Sequence, residues 1–105
     1  MEIWGLKTCD TCRKAVKALP DAVFRDVRAK PLDNDEIAQI LTAFGESAVN
    51  KASTTWRGLA DAEKTADPAS LLATYPALMK RPVIWAADGP YLGWTPKVRA
   101  AMGVT

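Results

Sequence analysis

Apolar residues in this chain alternate between two spacings, and the changes of spacing mark the elements. Glu2 to Leu6 is a short apolar run and predicts a first strand, with Gly5 inside it. Thr8-Cys9-Asp10-Thr11 offers side chains that can cap a helix. Cys12, Ala15, Val16 and Leu19 then follow at i, i+3, i+4, i+7, the spacing of one helix face, up to Pro20. Ala22 to Val27 is rich in strand formers and predicts a second strand. Asp33, with Glu36 three residues on, resembles a capping box ahead of the apolar face Ile37, Ile40, Leu41 and Phe44, with Gly45 as its stop. A short helical turn at Glu46–Asn50 and a short helix from Trp56 to Leu59 are expected. Asp67-Pro68 opens another helix carrying Leu71, Leu72 and Tyr75. Pro82 to Ala86 predicts a third strand, whose continuous Val83-Ile84-Trp85 run suits a central position. Asp88-Gly89-Pro90 reads as a turn into a fourth strand, Tyr91 to Trp94. Thr95-Pro96 opens a last helix, Lys97 to Met102.

The order is β-α-β, then helices, then a β-hairpin and a helix. This is the thioredoxin arrangement with a helical insertion at about 33–76. The predicted fold class is therefore α/β, with a four-stranded mixed sheet in a single domain spanning 1–105. No repeat, linker or low-complexity stretch interrupts it.

Composition narrows the chemistry. The chain has 105 residues, two cysteines and no histidine. A Ser-His-Asp triad, a Cys-His dyad and a histidine-ligated zinc are excluded. Two cysteines cannot complete a four-cysteine metal site in one chain, so no metal is expected. Fourteen basic against twelve acidic residues leave a net charge of +2. That is too small to point to direct nucleic-acid binding. No apolar run reaches the roughly 20 residues that span a bilayer, so no membrane role is expected. The N-terminus has no basic and apolar leader pattern, and the expectation is a cytoplasmic protein. A monomer is expected.

The reactive candidates are the thiols of Cys9-Asp10-Thr11-Cys12, a CxxC at a strand-to-helix junction. At a helix N-terminus the first N–H groups lack internal acceptors and favour an anion. Cys9 is thus the expected nucleophile, with a thiol pKa below about 8.5, and Lys7, Arg13 and Lys14 add positive potential. Cys12, one turn later, can attack a mixed disulfide on Cys9 and resolve it. Two other readings remain open on these residues: a pair of small buried hydrophobes, or a zinc site shared with a partner chain. At the mouth of the third strand, Pro82 is expected to follow a cis Arg81–Pro82 bond, with the Arg81 guanidinium beside Cys9. Thr8 and Thr11 are expected to cap the helix. Trp4 and Trp85 are expected in the core, and Trp56 and Trp94 are candidates for cavity walls.

Three segments, Gly5-Leu6-Lys7-Thr8-Cys9-Asp10-Thr11-Cys12-Arg13-Lys14-Ala15, Thr54-Thr55-Trp56-Arg57-Gly58-Leu59 and Lys80-Arg81-Pro82-Val83-Ile84, occur in this order. Together they resemble the ArsC/Spx family of glutaredoxin-linked, arsenate reductase-like proteins, and most closely its YffB-like branch. The resemblance implies a thiol-dependent oxidoreductase with Cys9 as catalytic cysteine. Arg81 would be the arginine that contacts an oxyanion or thiol adduct, with Cys12 as partner. Lys7, Thr8, Arg13, Arg57 and Pro82 are the candidate substrate contacts, Lys7 and Arg13 for their charge, which solvated surface positions would equally explain, and Pro82 for shaping the groove. No cofactor would be bound. Glutathione, a glutaredoxin or a thioredoxin would be the reductant, and glutathione or another thiol compound the substrate. Two further family arginines fall near Asn50 and Trp94 here, so efficient arsenate reduction is not expected. Lys51 and Arg57 are the nearby basic groups that could replace them. The CxxC also resembles the switch of Spx regulators, which bind the RNA polymerase α subunit. A redox-sensing transcription adaptor is the alternative expectation.

Overall fold

A computed structural model describes residues 1–104. The chain forms two compact units: Met1–Lys30 with the chain from Arg81 onward, and Pro31–Lys80. The segment expected as the insertion lies inside the second unit.

The first unit is built on four strands, β1 (Glu2–Gly5), β2 (Val23–Asp26), β3 (Val83–Ala86) and β4 (Gly89–Leu92). Their order in the sheet is β2-β1-β3-β4. β1 runs parallel to β2, with Ile3 opposite Phe24, and antiparallel to β3, with Ile3 opposite Ile84. The parallel pair needs a crossover, and helix α1 (Asp10–Ala18) supplies it. Side chains alternate across the sheet, so Ile3 and Ile84 share one face. There they form a core with Ala15 of α1 and Val98 of the last helix. Val16, Leu19, Phe24, Tyr91 and Trp94 pack around it. On the other face Trp4 and Trp85 meet edge to face, 5.1 Å between centroids. The Arg25 guanidinium lies 5.4 Å from the centre of the Trp4 ring. The mixed four-stranded sheet with its helices is the thioredoxin-like α/β fold.

The fourth strand begins two residues before its expected start. The turn is Ala87-Asp88, and Gly89 and Pro90 belong to β4, opposite Ala86 and Trp85. Gly89 has φ 131°, which a side chain would resist. Proline is tolerated in β4 because the strand lies at the sheet edge. Trp94 falls outside the strand.

The second unit holds α2 (Asn34–Phe44), α3 (Thr54–Arg57), α4 (Asp61–Lys64) and α5 (Pro68–Thr74). The Asp33 capping box is complete. Asp33 Oδ1 accepts from the Glu36 N–H at 2.8 Å, and Glu36 Oε1 accepts from the Asp33 N–H at 2.9 Å. α2 packs on α5, burying Ile37, Ile40, Leu71 and Leu72. Helix α3 starts at Thr54 rather than Trp56, because Ser53 Oγ accepts from the Trp56 N–H at 3.1 Å and caps it. The sequence pattern does not anticipate α4. α6 (Pro96–Ala101) closes the chain in the first unit, capped by Thr95. Among the described residues, no helix is long and apolar enough to cross a membrane.

Candidate functional site

Strand β1 delivers the chain to a four-residue approach, Leu6 to Cys9, before α1. The Cys9 N–H donates to the Leu6 carbonyl at 3.0 Å, and the Arg13 N–H donates to the Cys9 carbonyl at 3.0 Å. Cys9 is therefore the N-cap of α1, with extended backbone angles. The expectation that Thr8 and Thr11 cap this helix is not met. Thr8 lies in the turn before the helix, Thr11 is at its second position, and no side-chain hydrogen bond caps it. The N-cap side chain is a thiol, a weak acceptor until it loses its proton.

The approach is held from both sides. Arg13 Nε donates to the Lys7 carbonyl at 2.8 Å. The Lys7 N–H donates to Asp26 Oδ2 at 3.3 Å, at the end of β2. The other carboxylate oxygen of Asp26 accepts from the Arg28 and Ala29 N–H groups at 2.8 and 3.3 Å. Asp26 thus anchors the CxxC loop and the loop after β2 together. Slight burial pushes its carboxyl up, but the N–H donors and the Lys7 charge outweigh this and hold it below the usual range. Sequence reasoning passed over Asp26. Its signal was an aspartate at a strand end, where short carboxylates collect loop N–H groups.

The two sulfurs have different environments. Cys9 is half-buried and Cys12 is fully buried, and both are free thiols. Burial raises the Cys9 thiol pKa. The Cys12 N–H, a hydrogen bond from Arg81, the Cys12 thiol and the Arg81 charge oppose that and prevail, so Cys9 ends below its ordinary value. Burial pushes Cys12 the other way, up to about 12. The Leu6 N–H and the Arg81 charge favour its anion, but the hydrogen bond to Cys9 and the Cys9 charge add to the rise. The Cys9 sulfur is shifted towards its anion, and Cys12 towards its protonated, hydrogen-bond-donating form.

Cys12 is packed against the backbone of Gly5. A Cβ at Gly5 would collide with Cys12 Sγ and lie 3.3 Å from Cys12 Cβ. Gly5 is in the strand for close approach rather than for a turn.

The Arg81–Pro82 peptide is cis, and Pro82 is buried, with its carbonyl accepting from the Gly93 N–H at 2.7 Å. Arg81 reaches the Cys9 sulfur from the start of β3. Replacing Arg81 with Gln is expected to raise the apparent pKa of Cys9 and slow its alkylation at pH 7 by on the order of tenfold. A pH–rate profile with iodoacetamide measures this; an unchanged profile would show that Arg81 does not act on the thiol.

The family model described as the ArsC family matches residues 4–102, which includes every residue of this site. The chain belongs to the ArsC family. Among ArsC-like proteins, it is 38% identical over 104 residues to an uncharacterized protein of Haemophilus influenzae, covering 90% of this chain and 91% of that one. The solved structure of the YffB protein superposes with a TM-score of 0.84 at 29% identity, covering 95% of this chain and 96% of that chain. An arsenate reductase-related protein of Brucella melitensis gives 0.74 at 27% identity, covering 98% and 94%. Arsenate reductase from Vibrio cholerae shares the fold, with a TM-score of 0.73 at 13% identity and coverage of 100% and 98%. The activity class that accompanies ArsC membership is thiol-dependent and reductase-like.

Within this ArsC chain, the structure gathers Cys9, Cys12, Arg81, Pro82, Lys7, Thr8 and Arg13 in the first unit. Arg57 and Lys51 lie in the second. Arg57 ends α3, and Lys51 Nζ sits 5.5 Å from the centre of the Trp56 ring. Asn50 and Trp94 supply no cation. Asn50 Oδ1 accepts from the Ala52 N–H at 3.1 Å, and Trp94 packs on the sheet core. Trp56 is a cavity wall in the second unit, with Leu71, Val49 and Lys64.

Proposed function

We propose that this ArsC-family protein is a thiol–disulfide oxidoreductase that acts on glutathione mixed disulfides, with Cys9 as nucleophile. The observation that carries this reading is the opposed pair of sulfurs: Cys9 lowered by N–H and guanidinium donors, Cys12 raised by burial. In the first step the Cys9 thiolate attacks a disulfide sulfur, a Cys9–S bond forms, and the displaced partner leaves as a thiolate. Arg81 stabilises the anionic sulfur, and Lys7 and Arg13 attract the glutathione carboxylates. The new adduct removes the Cys9 charge and hydrogen bond that raise Cys12. Cys12 then deprotonates more readily and attacks Cys9, releasing the second thiolate and leaving a Cys9–Cys12 disulfide. The substrate has gained two electrons, and two external thiols, from glutathione or a glutaredoxin, return the protein to its dithiol state. No bound cofactor is needed.

Intact mass after treatment with glutathione disulfide tests the sequence of steps. The wild type is expected to lose two hydrogens, as the internal disulfide, and Cys12→Ser to retain one glutathione on Cys9. Persistence of the adduct in both proteins would remove Cys12 as resolver. Absence of an adduct and of turnover, together with specific binding to the RNA polymerase α subunit, would replace the reductase reading with that of a transcription adaptor.

A further inference from the structure

Beside the thiol site, sharing Lys7, Arg13 and the flank of Cys12 with it, a cleft of about 260 Å³ lies along α1. Its floor is Leu6, Val16, Phe24 and the flank of Cys12, and its rim carries Lys7, Arg13 and Lys17. No carboxylate lines it. Of the acids that interact with its lining residues, Asp10 faces Arg13 Nη1 at 3.7 Å, and Asp26 takes backbone N–H groups and the Lys7 charge. Lys17 is exposed on the last turn of α1 and makes no ion pair among the described residues. Val16 and Phe24 pack on the sheet core yet remain partly exposed.

Interiors of small domains are packed close to crystal density, and an open apolar hollow leaves this contact energy unused. Surface apolar concavities of this kind are where small ligands bind, with volumes starting near about 300 Å³. A hollow this small fits a single ring system rather than a protein segment. A flat body would lie against the Phe24 ring and the Val16 and Leu6 side chains. A cationic rim with no lining acid selects an anionic group on that body. We propose that this cleft is a binding site for small aromatic organic acids, carboxylates or sulfonates, which shares Lys7 and Arg13 with the glutathione reading above but does not use the Cys9 sulfur.

The test uses the reduced, full-length protein and 2-naphthoate as probe, followed by amide and methyl NMR shifts and by calorimetry at low and high salt. Shifts centred on Leu6, Val16 and Phe24 are expected, with affinity that weakens as salt screens the rim. Lys17→Glu, an exposed change that leaves the fold and the thiol site intact, is expected to weaken binding on the order of tenfold at low salt. Neutral 2-naphthamide is expected to bind more weakly than 2-naphthoate to the wild type and equally to both proteins. Cys9→Ser is expected to keep full affinity, which separates binding in the cleft from the chemistry of the Cys9 sulfur. Equal affinity of the acid for wild type and Lys17→Glu, equal affinity of acid and amide for the wild type, shifts centred elsewhere, or no saturation by millimolar probe would each overturn the proposal.

Discussion

Cys9→Ser is expected to abolish turnover of glutathione mixed disulfides, a loss on the order of a thousandfold or more. The hydroxyl cannot supply a nucleophilic anion at neutral pH, and Cys12 cannot take its place. Its thiol is buried, and burial, the largest of the effects that push it up, still acts when the Cys9 charge is gone. The accompanying alkylation experiment has a definite sign. In the wild type one thiol reacts, and its rate rises through an apparent pKa below the ordinary cysteine value of about 8.5. In Cys9→Ser the folded protein resists alkylation until strongly alkaline pH. In Cys12→Ser the Cys9 profile moves little, because a serine hydroxyl can still donate a hydrogen bond. Retained turnover in Cys9→Ser would exclude this site from the activity.

The second large effect is on stability. Gly5→Ala is expected to destabilise the reduced protein by about 1–3 kcal/mol, the usual cost of overpacking a rigid interior. Backbone conformation is not the cause, since Gly5 is absent from the glycines with positive φ and sits in regular strand. The cause is the new methyl against Cys12 Sγ, with Phe24 Cε1 only 3.6 Å away on the same side. Removing the sulfur should make room. Cys12→Ala alone loses buried contacts, but the double variant places the alanine methyl where the sulfur was. Denaturant melts of the four proteins form a double-mutant cycle. The double variant is expected to be more stable than Gly5→Ala alone, with a coupling of at least about 1 kcal/mol. Additive effects would show that the strand and helix can move apart, and that Gly5 is not there to admit the thiol.

The features that could be seen in the sequence are those written over a few neighbouring residues. Asp33 and Glu36 announce α2 because each satisfies the other's backbone within four residues. The burial of Cys12 follows from its place on the apolar stripe with Ala15. Elements that depend on less local or weaker signals were displaced. Ser53-Thr54-Thr55 reads as a polar loop, although Ser53 is the cap of α3. Helix α4 is a single turn without an apolar face, so periodicity has nothing to detect. At the hairpin, Asp88-Gly89-Pro90 pulls the expected turn one to two residues too late. Pairing with β3 instead keeps Gly89 and Pro90 in the ladder. The helix N-terminus of the site was legible, but its capping was assigned to threonines. The Asp26–Lys7–Arg13 arrangement spans separate elements, and only the fold brings it together.

The N-cap position of Cys9 has one more consequence. Helix N-caps are commonly oxygen-bearing side chains, whereas α1 begins on a sulfur, whose charge the proposed exchange would change. As a thiolate, Cys9 draws the exposed N–H groups of the first turn towards itself. Once bonded to another sulfur it is neutral, and that attraction falls away. In the proposed exchange the opening turn of α1 would thus be tied to the state of Cys9, and a molecule that binds this surface would meet a different helix end before and after each reaction.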